Sequence, residues 1–205
     1  MVWHTYCSID NNNKRKAELI FSLWICKPKR NKTKGKIMKH GKSVIHHFFA
    51  RSQPKQSYGT ILKAGAAGLI AIAALAFLSQ WAENAWLMAP FGASCVLLFS
   101  APQSPLSQPA NVIGGHVISS LIGLSLHSFL PMSWWAVGLA VGLAIAIMAL
   151  LRLTHPPAGA DPLVIFFGSP GWDYLGFPVL AGSLILVLLA WALHKLPPVV
   201  EYPNT

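Results

Sequence analysis

Ionisable side chains meet backbone-bending residues in two short stretches of this chain. The run H-P-P-A-G-A-D, from His155 to Asp161, sets an imidazole and a carboxylate around Pro156, Pro157 and Gly159. The run P-F-G-A-S, from Pro90 to Ser94, repeats its form with a hydroxyl in place of the carboxylate. Aligned about 67 residues apart, Pro90 falls on Pro157, Gly92 on Gly159, Ala93 on Ala160, Ser94 on Asp161 and Phe99 on Phe166. Ser94 and Asp161 each precede an apolar run, where a helix N-cap is expected, and Pro162 then holds the first helical position. A helix beginning there presents free N–H groups and about half a positive charge, so its natural ligand is an anion. Gly92 and Gly159 would let the backbone come close to that ligand. Asp161 repels an anion unless its charge is spent on the cap or it is protonated. Arg152 lies three residues before His155. His116, after Gly114 and Gly115, is a second candidate for binding or proton relay, its alternative being a histidine satisfied by a neighbouring helix.

No Ser, Cys or metal constellation with catalytic spacing accompanies these residues, so an enzyme is not expected. Cys7, Cys26 and Cys95 are far apart and form no C-x-x-C pair, which indicates neither a disulfide framework nor a metal site. No cofactor is expected.

The elements that must position these residues are apolar helices. The 205 residues are 54% hydrophobic and 11% charged, where a soluble domain carries roughly 25% charge. Residues 1–57 hold 13 Lys and Arg against Asp10 and Glu18, while the remainder is almost uncharged. A bilayer core needs about 20 apolar residues per helical span. The stretches 61–78, 112–130, 134–151 and 177–193 meet or approach that length. Lys63, near the start of the first, is expected to snorkel to the headgroups. Trp81, Trp86, Trp134, Trp135, Trp172 and Trp191 fall near segment ends, as an interfacial belt predicts.

The expected fold is an all-α membrane bundle of about four full transmembrane helices plus two short Pro- and Gly-broken half-helices, with a two-fold internal repeat. Residues 1–57 read as a basic, disordered cytosolic tail, 58–196 as the transmembrane domain and 197–205 as a short C-terminal tail. The basic block follows from the positive-inside rule without a nucleic-acid partner. Met38 offers a second start. If both short segments dip and return there are four crossings and parallel repeats. If both cross there are six, the repeats are inverted, and Arg152 and Lys195 share a side. The positive-inside rule leans toward six, but the shortness of 163–167 leads to the count of four plus two. Broken segments in matching positions of two repeats point to a solute site between them.

At these residues a resemblance becomes specific. The run S-P-L-S-Q-P-A-N-V-I-G-G-H, Ser104 to His116, together with T-H-P-P-A-G-A-D, Thr154 to Asp161, resembles the HPP family of integral membrane proteins over about residues 60–196. The resemblance implies a compact helical membrane domain with four spans, and a transport role, plant and cyanobacterial relatives being associated with nitrite movement. It carries over to His155, Pro156, Pro157, Gly159, Pro109, Asn111, Gly115 and His116. Ala110 departs from the pattern, since many relatives carry a base there, and this counts against anion attraction at that position and hence against nitrite itself.

The expected function is therefore a small-anion, nitrite-like transporter, its substrate site comprising His155, Pro156, Pro157, Gly159, Asp161, Gly92, Ser94, Asn111, Gly115 and His116. The alternative is a membrane-embedded assembly or regulatory subunit without transport. The expected partners are the lipid bilayer, a small anion and, because about 140 residues is small for a complete pathway, a second copy of the chain. A bacterial inner membrane is expected from the Lys-rich, Ser-poor tail.

Overall fold

The computed structural model describes residues 49–51, 53–81 and 86–204. The tail, Cys7, Cys26 and the second start at Met38 fall almost wholly outside the described residues. Pro54–Thr205 forms one compact unit, and among the described residues it is helical throughout. Its helices are α1 (Tyr58–Trp81), α2 (Pro90–Ser100), α3 (Pro109–Phe129), α4 (Trp134–Leu150), α5 (Asp161–Gly168) and α6 (Ala181–His194). Short tight turns at Pro105–Ser107, Pro156–Ala160 and Trp172–Leu175 connect them, and Gly176–Leu180 leads directly into α6. Three helical stretches are long and apolar enough to cross a membrane: α1, α3 and Trp172–His194. At 1.5 Å per residue, the 21 residues of α3 reach about 31 Å, the thickness of a bilayer core.

Small residues allow these helices to pack. The buried positions of α4 are Ala136, Ala140, Ala144 and Met148, and those of α1 are Ala67, Ala71 and Leu75, every fourth residue in each case. Such stripes bring backbones close where lipid removes the hydrophobic drive between helices. Large apolar side chains point outward instead, Leu139, Ile145 and Leu150 on α4 and Leu62, Leu69 and Phe77 on α1 among them. Outside the bundle, as within it, the contact is with hydrocarbon.

Polar contacts at one end trace the path of the chain. Lys63, near the start of α1, donates to Leu196 O and Pro198 O at 2.6 and 2.7 Å, just past α6. Gln56 donates to Ser100 O at the end of α2. The Tyr202 hydroxyl donates to Ser107 O just before α3, and burial pushes that phenol up from its ordinary range. Asn111, in the first turn of α3, donates to Thr154 O beyond α4 at 3.0 Å. The starts of α1 and α3 and the ends of α2, α4 and α6 thus share one end. Because α4 finishes there and α6 must begin at the other, α5 carries the chain across. Gly115 faces His155 while Gly123, two turns on, faces Pro162 and Ile165, so α5 runs beside α3 in the same sense.

The chain therefore runs six times between the two ends of the bundle when α2 and α5 are counted with the irregular backbone before them, and three of its helical stretches are long and apolar enough to cross a membrane. The half-helices are short, as expected, but irregular backbone at 86–89 and 151–160 supplies the depth they lack. The repeats α1–α3 and α4–α6 are consequently inverted. At the shared end the Lys63 ammonium donates to carbonyls at and just past the end of α6.

Irregular backbone at this depth must have its polar groups satisfied by protein. Side chains of the neighbouring helices do this. Ser119 donates to Ala158 O at 2.6 Å, Asn111 donates to Thr154 O, and Ser79 Oγ accepts from Trp86 N–H at 2.9 Å. At the end of α4, Arg152 takes a left-handed conformation (φ 61°), and Leu153 N–H reaches back to Met148 O at 2.9 Å, closing the helix.

Candidate functional site

The two broken segments meet through their side chains. Ser94 is the fifth residue of α2, and Asp161 is the first of α5. Neither is a cap. The N-cap positions are Ala89 and Ala160, and no side chain bonds to either helix start. Ser94 Oγ lies 2.8 Å from His116 Nε2, 2.9 Å from His155 Nε2 and 3.3 Å from Pro90 O. Asp161 Oδ2 accepts from His116 Nδ1 at 2.9 Å and from Ser120 Oγ at 3.2 Å. His155 Nδ1 donates to Leu106 O at 2.8 Å. One continuous chain results, from Leu106 O through His155, Ser94 and His116 to Asp161.

Ser94, His116, His155 and Asp161 are completely buried. The imidazoles stand edge to face, with centroids 5.0 Å apart, and Phe91 closes the far side of His116 at 5.2 Å. His116 with Asp161 is the one imidazole–carboxylate contact at salt-bridge distance among the described residues. The second carboxylate oxygen, Oδ1, is buried without a partner. Among the described residues no three His, Cys, Asp or Glu are grouped to hold a metal ion.

Close contact with α3 makes this arrangement possible. A Cβ on Gly115 would lie 2.7 Å from His155 Cβ and 3.2 Å from Leu153 O, and one on Gly123 would lie 3.1 Å from Pro162 Cα. Glycine is required there because the broken segment rests directly on the helix backbone. Gly92 and Gly159 have no such protein neighbour, since a Cβ on either would meet open space.

An apolar groove of about 690 Å³ runs between the half-helices. Its walls are Ala89, Pro90, Ala93, Val96 and Leu97 from the first repeat, facing Pro156, Pro157, Ala160, Leu163 and Val164 from the second. Each residue of the first wall finds its partner in the second 67 positions on. The alignment read from the sequence thus reappears in space, position by position, across the groove.

Of the residues expected in a substrate site, the structure unites Ser94, His116, His155 and Asp161 in the buried chain and puts Pro156 and Pro157 on the groove. Gly115 is their packing support, and Asn111 is engaged with backbone carbonyls. Gly92 lines a separate cleft between α1 and α2, and Gly159 lines neither cavity. Helix starts that aim free N–H groups at an anion are not what brings these segments together. Phe91 and Gly92 N–H donate to Met88 O and Ala89 O, Asp161 N–H donates to Ala158 O, and Pro90 and Pro162 have no N–H. Arg152 is exposed at the end of α4. Ser119, Ser120 and Leu106 were missed. The two serines lie three and four residues past His116, on its helix face, a spacing that reveals them; the Leu106 carbonyl leaves no mark in the sequence.

The arrangement allows two chemistries. The order Ser94, His116, Asp161 is that of an activated hydroxyl nucleophile, and an unbroken line of donors and acceptors can also hold and pass a proton.

The family model described as the HPP transmembrane region matches residues 53–203. Two transmembrane proteins of Dictyostelium discoideum are similar. One is 36% identical over 129 residues, which cover 59% of this chain and 42% of the relative. The other is 34% identical over 125 residues, covering 57% and 44%. The chain spans less than half the length of these curated relatives. No solved structure matches it.

Proposed function

This chain belongs to the HPP transmembrane-region family, and from that premise we propose that it is a carrier for a small anion, with nitrite the first solute to test. The observation that carries the reading is the buried chain of Ser94, His116, His155 and Asp161 where the two broken segments meet, together with a groove whose walls pair position by position between the repeats. Ionisable groups at membrane depth are costly and mark pathways for ions and protons, and inverted repeats meeting at broken helices are the usual frame of a secondary carrier. Alternating access would then be a rocking of α1–α3 against α4–α6, in which the groove walls part on one side and close on the other.

The basic end of the bundle is assigned to the cytosol. Lys63, Arg152 and Lys195 all lie there, and 13 further bases precede α1. The membrane we assign is a bacterial inner membrane, on the Lys-rich, Ser-poor composition of residues 1–57, although the two similar proteins are eukaryotic.

Ser94 as a nucleophile is the second reading, favoured by the Ser–His–Asp order. Against it stands the environment of the hydroxyl, which is closed off on two sides by imidazoles and does not border the groove. Nitrite uptake into proteoliposomes holding the purified protein separates the two. Uptake that His155→Ala abolishes, with the variant still monodisperse, supports the carrier; equal flux in both removes His155 from the mechanism. Covalent labelling of Ser94 by a fluorophosphonate would favour the nucleophile.

A further inference from the structure

We propose that the buried chain binds one exchangeable proton beyond those of two neutral imidazoles and a carboxylate, and that this proton is the coupling ion of the carrier. The coupling half of the proposal rests on the carrier reading; the proton site does not.

A count of hydrogens carries the argument. Four contacts make up the chain: Leu106 O to His155 Nδ1, His155 Nε2 to Ser94 Oγ, Ser94 Oγ to His116 Nε2, and His116 Nδ1 to Asp161 Oδ2. They measure 2.8, 2.9, 2.8 and 2.9 Å. Each needs one hydrogen between its heavy atoms. The Leu106 carbonyl only accepts, so His155 Nδ1 carries a hydrogen, and a neutral His155 then offers a bare Nε2. A carboxylate only accepts, so His116 Nδ1 carries a hydrogen and a neutral His116 offers a bare Nε2 as well. Ser94 has one hydrogen for two acceptors. The groups together supply three hydrogens for four contacts, and the fourth contact would set a lone pair against a lone pair in a fully buried site. A hydrogen spent on Pro90 O would deepen the deficit.

One added proton satisfies every contact. It can reside on His116, on His155, or on Asp161 with the His116 tautomer reversed. In each state the chain is electrically neutral overall, the least costly condition for buried charges. The states interconvert by shifts along existing hydrogen bonds, and the Ser94 hydroxyl turns from one imidazole to the other as they do. Other ionisable side chains near this region are Cys95 on α2 and Tyr174 from the turn Trp172–Leu175. Among the described residues neither Lys nor Arg pairs with Asp161. The neutralising proton must therefore come from solvent, and a carrier that opens to one side at a time would take it up and release it on opposite sides.

The test reads the protons directly. Full-length protein in lipid nanodiscs, labelled with ¹⁵N at the histidine rings and ¹³C at the aspartate carboxyls, is measured by solid-state NMR at pH 7. The expected result is one proton more on His116, His155 and Asp161 together than an ionised carboxylate and two singly protonated rings would hold. Finding Asp161 ionised and both rings singly protonated overturns the proton site. Ser94→Ala separates the two imidazoles and should lose the extra proton, while Ser94→Thr should keep it. In proteoliposomes with a trapped pH dye, nitrite entry should acidify the lumen by one proton per anion. Nitrite flux without acidification overturns the coupling and leaves the carrier standing. A full proton count with no nitrite flux keeps the proton site and rejects the carrier reading.

Discussion

At the scale of single residues, glycine contacts and the partners of polar atoms decide what each position does. Gly115 and Gly159 both belong to the motifs that carry the family resemblance, yet their surroundings are opposite. Gly115→Ala drives a methyl into His155 and should cost about 1–3 kcal/mol, whereas Gly159→Ala meets open space and should be neutral or stabilising by about 0.4–1 kcal/mol. Thermal unfolding of the two variants in one detergent checks the contrast, and equal effects would contradict the packing of His155 on α3. The identities of the polar residues were legible in the sequence, since Ser94, His116, His155 and Asp161 all stood out there. Their roles were not. A Ser or Asp before an apolar run reads as a cap from local pattern alone, and only the approach of α3 turns both side chains toward His116. The same holds for Asn111, a polar residue in a shared motif, whose partners are two carbonyls 41 and 43 residues away.

Among the elements, each helix end has its own means of stopping. Arg152 ends α4 in a left-handed conformation that costs an L-residue roughly 1–2 kcal/mol. Arg152→Gly should accordingly raise the unfolding temperature without moving α4, and circular dichroism melts will show it; a lower temperature would mean that the Arg152 side chain contributes more than its backbone costs. The long helices were legible from apolar length, because a span of about 20 such residues has few other uses. The half-helices were legible as short and broken but not as crossing, because irregular backbone at 86–89 and 151–160 has no hydropathy signature. What makes it tolerable is a set of side-chain donors on other helices, and such donors are found only once the helices are assembled.

For the molecule as a whole, the arrangement of ends is the sharpest expectation. Single cysteines at Arg152 and Lys195, in a background lacking the native three, should react with an impermeant reagent from the same face of sealed vesicles, and one at Met132 from the opposite face. Labelling of positions 152 and 195 from opposite faces would restore four crossings and parallel repeats. In the sequence, the positive-inside rule sets Arg152 and Lys195 on one side, whereas the shortness of 163–167 favours four crossings. The 67-residue correspondence was legible from five matched residues, and the groove walls extend it in space. The groove takes one wall from each repeat, so each half supplies a surface that the other must complete. Neither half then owns a finished interior. Chains cut between Leu130 and Ser133 and expressed as two pieces should be degraded singly and recovered as a complex when made together.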